Sequence, residues 1–254
     1  MTGDTILLVG RAGSHTEDVL ATHADRLERR TGMAASVALY EHDPVELADA
    51  PAVEGTAYAV PATFAHTRET ATAIPRALAR HPSPVRYCDP PGRSSTVTSA
   101  IAERAAEQVP AGPDATLVLA GFGSSSGSRQ RRTAEYHAAR LRERGTYGEV
   151  VTCYLIQNPT VECARYNVSN DRAVVVPLFL ARTEATEDRI PAKLDLDRGG
   201  LSYGDPLGEH PLVTDAVAAE VARQRALADA DADADTALSS ATPRPVATDG
   251  RGDR

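Results

Sequence analysis

The sequence has few of the residues that build disulfide frameworks or lysine-rich binding surfaces. It contains three cysteines (Cys88, Cys153 and Cys163), an odd number with no Cys-x-x-Cys pair, and no tryptophan. Lysine occurs once, at Lys193, so almost all positive charge is arginine. We therefore expect reduced thiols and a cytoplasmic location.

A long hydrophobic run and an excess of positive charge are also missing. The first apolar run, 6–9, is far too short for a signal peptide or a membrane span. The net charge of −8 argues against a general nucleic-acid binder or a protein that binds anionic membranes, although it is compatible with a local basic pocket. Apolar residues at 42% and charged residues at 24% are typical of a globular protein with a buried core.

What the sequence does contain is one unit used twice. Segments 60–75 and 176–191 both begin with Val-Pro and end with Ile-Pro, 116 positions apart. The step falls to 114 between His23 and His137 and to 110 between the Gly-Ser pairs at 13–14 and 123–124, as loop-length changes would cause. We predict two lobes.

The predicted boundaries follow from composition and the repeat. The N-terminal lobe spans 1–110 and the C-terminal lobe 115–227, joined by a linker rich in proline and glycine. The Asp-Ala repeat and polar residues of 228–254 bury too little apolar surface to fold, which predicts a disordered acidic tail.

Within each lobe, short β-branched runs alternate with amphipathic segments, which predicts an α/β fold with a mostly parallel sheet covered on both faces. Predicted strands occupy 5–9, 34–40, 56–62, 85–88, 115–120, 149–155, 173–180 and 201–203. Predicted helices begin after the Gly-Ser turn at 13–14 and occupy part of 67–80, 96–108, 128–144 and 213–227.

The glycine-serine turns are the first candidate ligand site, because ligands of open parallel sheets bind beyond the carboxyl ends of the strands. The front turn holds Gly13 and Ser14, preceded by Arg11, and the rear turn holds Gly123 and Ser124. Glycine allows close approach of a ligand, and serine hydroxyls with free helix amides can hold an anion. The alternative is an ordinary tight turn. The rear turn lacks the Lys-Ser/Thr ending of a phosphate-binding loop, so no nucleotide is expected.

The repeated Val-Pro loops are the second candidate site. The front loop carries His66, Arg68 and Glu69, and the rear loop carries Arg182. Imidazole with carboxylate suits a divalent transition metal, and arginine can pair with ligand carboxylates. For any single residue, a solvated surface loop is the competing interpretation.

Several of these segments resemble the CbiX/SirB family of sirohydrochlorin chelatases. The similarity is carried by 174–180, 190–191 and 203–211, by the Gly-x-Gly-Ser turn at 121–124 and by the duplication itself. It extends over roughly 5–226 and is strongest from 115 to 215. The resemblance implies two flavodoxin-like lobes facing each other across a cleft. It also implies insertion of cobalt, or alternatively iron, into the tetrapyrrole sirohydrochlorin on the way to cobalamin or sirohaem.

The sequence departs from the family at the metal-binding histidines. The family histidine between the two glycines of the turn is replaced by Ala12 and Phe122, and the histidine eight residues beyond the Val-Pro proline by Glu69 and Ala185. A relocated metal site is then predicted from His15, His66 and Glu69, with His66 and Glu69 as the catalytic pair. An imidazole both holds a metal and accepts protons near neutral pH.

Three functions remain open at the level of sequence. The first is an active chelatase with an altered metal site. The second is a catalytically inactive paralogue that binds tetrapyrrole or metal, and the third is a structural partner in the cobalamin pathway. For the first two, Arg11, Arg68 and Arg182 are predicted to bind substrate carboxylates, together with the glycine-serine turns. A monomer is expected, because both lobes lie in one chain.

Overall fold

The computed structural model describes residues 3–125 and 127–240 and contains two four-stranded parallel sheets with the same topology. The first sheet has the order β2-β1-β3-β4, and the second has the order β6-β5-β7-β8. The strands of the first are β1 (Thr5–Arg11), β2 (Ala34–Tyr40), β3 (Ala57–Pro61) and β4 (Val85–Tyr87). Those of the second are β5 (Ala115–Gly121), β6 (Glu149–Tyr154), β7 (Arg172–Pro177) and β8 (Ser202–Tyr203). The predicted duplicated α/β fold is confirmed.

Helices cover both faces of each sheet. The α-helices are α1 (Thr16–Thr31), α2 (Ile74–Leu78), α3 (Ser95–Gln108), α4 (Arg129–Arg144), α5 (Ile190–Leu194) and α6 (Pro211–Ser240). Short 3₁₀ turns occupy Pro44–Asp49, Pro91–Arg93, Val161–Tyr166 and Leu196–Arg198, and π-helical turns occupy Glu69–Ala73 and Ala185–Arg189. The Val-Pro loops therefore end in matched π turns that lead into α2 and α5.

The central strands are buried on both faces, as their continuous apolar runs predict. Residues of β3, β5 and β7 are buried almost without exception, and β1 is buried up to its last residue. Each first helix, α1 or α4, returns antiparallel to its strand and ends at a glycine in the left-handed region, Gly32 at φ 70° and Gly145 at φ 62°. These right-handed crossings place all strand carboxyl ends of a sheet at one edge.

The last helix of each half packs against the sheet of the other half. Val97 of α3 lies in the same buried cluster as Leu117 of β5. Val217 of α6 lies in a buried cluster with Ile6 of β1. Each predicted lobe thus contains its own sheet, but one covering helix of that sheet comes from the other half of the chain.

Two buried histidines join the halves in the same reciprocal way. His23 of α1 contacts the Thr214 hydroxyl at 2.8 Å and the Gly208 carbonyl at 3.0 Å. His137 of α4 contacts the Thr98 hydroxyl through Nδ1, at 2.8 Å, and the Gly92 carbonyl through Nε2. A carbonyl only accepts, so Nε2 carries a proton in both rings. Burial lowers the pKa of both histidines, which favours the neutral ring, in which Nδ1 accepts from threonine.

Helix α6 is longer than the sequence pattern predicted. The predicted end was Leu227, with disorder from residue 228, but the helix continues to Ser240. Alanine is the strongest helix former, so the Asp-Ala repeat can extend a helix that tertiary packing has already started. Asp231 also lies 3.3 Å from Arg86 of β4. The rest of the predicted tail, 241–254, lies outside the described residues. Within 3–125 and 127–240, no helix has both the length and the apolarity needed to cross a membrane.

Candidate functional site: the cleft between the two halves

The loops at the carboxyl ends of the two sheets meet across a cavity of about 320 Å³. The first half contributes Gly10, Arg11, Tyr40, Thr63, Phe64 and Glu69, and the second contributes Gly121, Phe122, Gln130, Leu178, Phe179 and Thr183. The ends of β1 and β5 and the Val-Pro loops of both halves therefore line one shared cleft. The predicted turn residues Gly13, Ser14, Gly123 and Ser124 are not among the residues that line this cavity.

An ion pair occupies the front wall of this cleft. Arg11 Nη2 donates to Glu69 Oε1 at 2.8 Å, and the guanidinium carbon lies 5.3 Å from the centre of the Tyr40 ring. The hydrogen bond to Glu69 raises the pKa of Arg11, and burial raises the pKa of Tyr40. Both groups therefore keep their ordinary charge states, a cation beside a neutral phenol.

The rear wall has no equivalent ion pair. The positions that correspond to Arg11 and Glu69 are Gly121 and Ala185, both buried. Phe122 makes an edge-on contact with Phe179, with ring centroids 6.5 Å apart, and Arg189 lies over the Phe122 ring. The front wall of the cleft thus carries an ion pair, and the rear wall carries two aromatic rings.

His66 is paired with a carboxylate at the edge of the cleft. Its Nε2 lies 3.1 Å from Asp89 Oδ1, and its Nδ1 lies 3.2 Å from the Thr70 hydroxyl. The loop is held by the Thr67 amide, which donates to Thr70 Oγ1 at 2.8 Å, and by Tyr87, whose hydroxyl donates to the Thr70 carbonyl. This is an oriented imidazole–carboxylate pair, the arrangement of a positioned proton acceptor.

The duplication preserves this arrangement with one substitution. The rear loop repeats the threonine contact between Thr183 and Thr186, at 2.9 Å. The position of His66 is taken by Arg182, which lies 2.7 Å from Asp205 and 3.4 Å from Glu187. Arg182 is therefore neutralised within the protein, whereas sequence analysis expected it to face a substrate carboxylate.

The predicted metal ligands belong to three different sets of contacts. His15 lines a separate cavity of about 300 Å³ with Asp18, Arg182 and other residues of the rear loops. His66 contacts Asp89, and Glu69 contacts Arg11. Among residues 3–125 and 127–240 there is no group of three or more histidine, cysteine, aspartate or glutamate side chains placed to hold a metal ion. Sequence spacing could not show this, because it does not predict ion pairs.

The glycine-serine turns have different environments in the two halves. Gly123 has φ 81°, and a Cβ there would lie 2.9 Å from Gln157 Cβ, so the turn requires glycine. The Ser124 amide donates to the Gln157 side chain at 3.3 Å. Gly13 and Ser14 are exposed, and the Gly13 carbonyl accepts from the Thr16 amide at the start of α1. The tight-turn interpretation accounts for these contacts.

The mouth of the cleft is lined by two arginines that were not predicted as site residues, Arg129 and Arg132. With Arg68 and Ser124 they line a cavity of about 650 Å³. They also line an adjoining cavity of about 520 Å³ with His66, Arg93 and Arg223. The sequence signal for them was the Arg-Gln-Arg-Arg run at the start of α4. By itself, this run predicts only an exposed helix face. In the fold, it lies opposite the front Val-Pro loop.

The same arrangement, two similar parallel lobes whose loops meet across a cleft, occurs in solved chelatases. Residues 116–224 match the family model CbiX. A probable sirohydrochlorin cobaltochelatase of Halobacterium salinarum is 26% identical in an alignment of length 155, and the match covers 54% of this chain and 53% of that protein. The chain thus spans about half the length of this curated relative.

Solved chelatases share the fold across nearly the whole chain. SirB from Bacillus subtilis, solved with Fe³⁺, matches with a TM-score of 0.73 and 21% identity, covering 91% of this chain and 98% of SirB. A multi-domain protein of Deinococcus radiodurans with structural similarity to chelatases matches with a TM-score of 0.65 and 25% identity, covering 86% of this chain and 54% of that one. The CbiX family model thus covers most of the second half of the chain, and the fold that the chain shares with the solved chelatases extends over both halves.

Proposed function

We propose that this chain inserts a divalent metal, cobalt or alternatively iron, into sirohydrochlorin in the cleft between its two halves. The observation that carries the proposal is the His66–Asp89 pair, 3.1 Å apart, on the wall between two adjoining cavities at the cleft. The relative of Halobacterium salinarum bears a cobaltochelatase name, and SirB was solved with cobalt as well as with Fe³⁺.

Metal insertion needs a proton acceptor, because two pyrrole N–H protons leave as the divalent cation enters. His66 accepts one such proton, and the second passes to solvent water. Because Nε2 faces the Asp89 carboxylate, the accepting nitrogen is Nδ1, beside the Thr70 hydroxyl, and Asp89 stabilises the imidazolium that forms. The macrocycle loses protons while the cation supplies the balancing charge, so no oxidant or reductant takes part.

Glu69 supplies the negative charge that receives the cation substrate. In the described structure its carboxylate is held by Arg11 at 2.8 Å. A ligand carboxylate that pairs with Arg11 would compete with Glu69 and release it toward the metal. Ligand binding and metal binding are then coupled through one arginine.

A second candidate is a protein that binds tetrapyrrole without inserting metal. It is favoured by the contacts that Glu69 and His66 already make with other side chains of the same chain. It is also favoured by the nonpolar residues at the family histidine positions, Ala12, Phe122 and Ala185. An aromatic wall at Phe122 and Phe179 suits a flat ring whether or not chemistry follows.

An anaerobic insertion assay separates the two. Full-length protein, sirohydrochlorin and cobalt or ferrous ion are mixed, and absorbance follows metallation. We expect a rate above the spontaneous one, reduced about a hundredfold in His66→Ala, since a positioned acid-base group contributes at least this factor. Ligand binding without an increased rate supports the second candidate, and absence of both overturns the proposal.

A further inference from the structure

Three arginines at one end of the cleft have no counter-ion in the described part of the chain. They are Arg68, Arg129 and Arg132, all exposed around the cavity of about 650 Å³. The other two arginines predicted to bind carboxylates are both neutralised, Arg11 by Glu69 and Arg182 by Asp205. Among these predicted and cleft-lining arginines of the described residues, those without a carboxylate partner in the protein therefore lie at this end.

The corresponding end of the cleft has the opposite charge. The repeat places His15 at the position of Arg129, Asp18 at that of Arg132, and Glu184 at that of Arg68. His15 and Asp18 line the cavity of about 300 Å³ together with Asp205 and Glu209. Arg104 and Arg182 also line it, but they are paired with Glu107 and Asp205, so the unpaired charges that the described residues place at this end are carboxylates. The two halves share a fold, but their two cleft ends differ in sign.

The arginines of α4 also stand where a helix disfavours them. The N-terminus of a helix carries partial positive charge, so cations in the first turn are unfavourable and acids are favourable. Helix α1 follows this rule with Glu17 and Asp18 in its first turn, whereas α4 has no acid there and begins with Arg129, Arg131 and Arg132. A cluster that opposes the stability of its own helix indicates a bound anion as its function.

We propose that Arg68, Arg129 and Arg132 form a carboxylate-binding site that holds one edge of a polycarboxylate tetrapyrrole. The side-chain acids along that edge pair with the three guanidinium groups, whereas the arginines that line the other end, Arg104 and Arg182, already have carboxylate partners. The inference rests on the proposed ligand class, but it requires no metal insertion.

The test measures binding apart from catalysis. Uroporphyrin, a fluorescent porphyrin with carboxylate side chains around the whole ring, is titrated into wild-type protein and into Arg129→Ala/Arg132→Ala without metal. Exposed charged contacts of this kind lead us to expect affinity about tenfold weaker in the double variant, with a smaller salt dependence. The matched control is Arg131→Ala, on the same helix turn but outside both cavities, which should bind like the wild type.

Charge placement at the other end tests the contribution of charge. Asp18→Arg introduces at the acidic end the residue that the basic end has, and we expect tighter binding of uroporphyrin. Equal affinities of wild type and the α4 double variant, or no binding by wild type, would overturn the inference. Binding that follows the expected order, with no metal insertion, supports the inference and counts only against the chelatase function. Thermal melts of each variant check that folding is retained.

Discussion

At the scale of single residues, the two halves carry different side chains at positions where their backbones have the same conformation. The front half has Arg11 and Glu69 where the rear has Gly121 and Ala185, so a cation and an anion occur together in one half and are both missing from the other. The pair is partly exposed, and such pairs contribute at most about 1 kcal/mol to stability. Under the proposed function, the pair keeps each charge compensated until a ligand carboxylate binds Arg11.

Removal of Arg11 should therefore expose a cation site. In Arg11→Ala, Glu69 loses its partner, and we expect cobalt to bind more tightly than to wild-type protein when measured by calorimetry. The gain should vanish in Arg11→Ala/Glu69→Ala, while Arg29→Ala, an exposed arginine in the last turn of α1, serves as the control. Unchanged cobalt affinity in Arg11→Ala would refute the release of Glu69.

Gly92 is a second position where one residue decides the structure. A Cβ there would lie 1.5 Å from the Phe64 carbonyl oxygen, and the Gly92 carbonyl accepts from His137. We expect Gly92→Ala to lower the free energy of unfolding by more than about 3 kcal/mol, since backbone must move. Urea unfolding measures this. Gly204→Ala, where the added carbon meets only ordinary contacts at 3.6 Å, should change stability by less than about 1 kcal/mol.

At the scale of elements, the buried histidines of α1 and α4 make the contact between the halves sensitive to acid. Burial lowers the pKa of His23, and it lowers the pKa of His137 from 6.5 to about 4. The folded state therefore binds these protons more weakly than the unfolded state. The contribution of these neutral histidines to the free energy of unfolding is complete above about pH 6.5. It is lost as the pH falls from there toward about 4.

We expect His137 alone to contribute a loss of up to about 3 kcal/mol across that range. Urea unfolding at a series of pH values between 7 and 4 measures it. His137→Gln keeps an N–H donor for Gly92 but cannot be protonated, so the decline should become shallower. His42→Gln, at an exposed side chain, should keep the wild-type slope. An identical slope in His137→Gln would show that another group causes the acid sensitivity.

Element boundaries were largely predictable because strands and helices leave local patterns. The run of apolar residues in 115–120 and the amphipathic pattern of 128–144 predicted β5 and α4 to within a residue at each end. Helix α6 was predicted too short, since composition alone does not register that a packed helix can continue through an Asp-Ala repeat. The pairing of Arg11 with Glu69 was not predictable, because ion pairs across loops leave no periodic signal.

At the scale of the whole molecule, the exchange of α3 and α6 makes the halves depend on each other. The apolar spacing of each helix predicted a buried face, but spacing does not state which sheet covers it, so two self-contained lobes were expected. In the structure, a fragment ending at residue 110 would expose Val97 and Ile101 and leave the first sheet without Val217 and Val221. Exposure of such surfaces favours unfolding or aggregation.

We expect neither 1–110 nor 111–254 to fold alone, and we expect the two to restore one cooperative unfolding transition when refolded together. Circular dichroism and size exclusion of each fragment and of the mixture measure this. A fragment of the same length that keeps both helices with their sheets cannot be cut from this chain, so the intact protein carried through the same refolding is the reference. A cooperative transition in isolated 1–110 would contradict the dependence.

The covalent link between the halves has a consequence for symmetry. Two identical subunits related by a twofold axis must show the same side chains at both mouths of a shared groove. Because each copy here is encoded separately, one mouth has Arg129 and Arg132 while its twin has His15 and Asp18. Fusion of the two copies in one chain therefore allows the two ends of the cleft to carry different charges, so that a ligand can be bound asymmetrically.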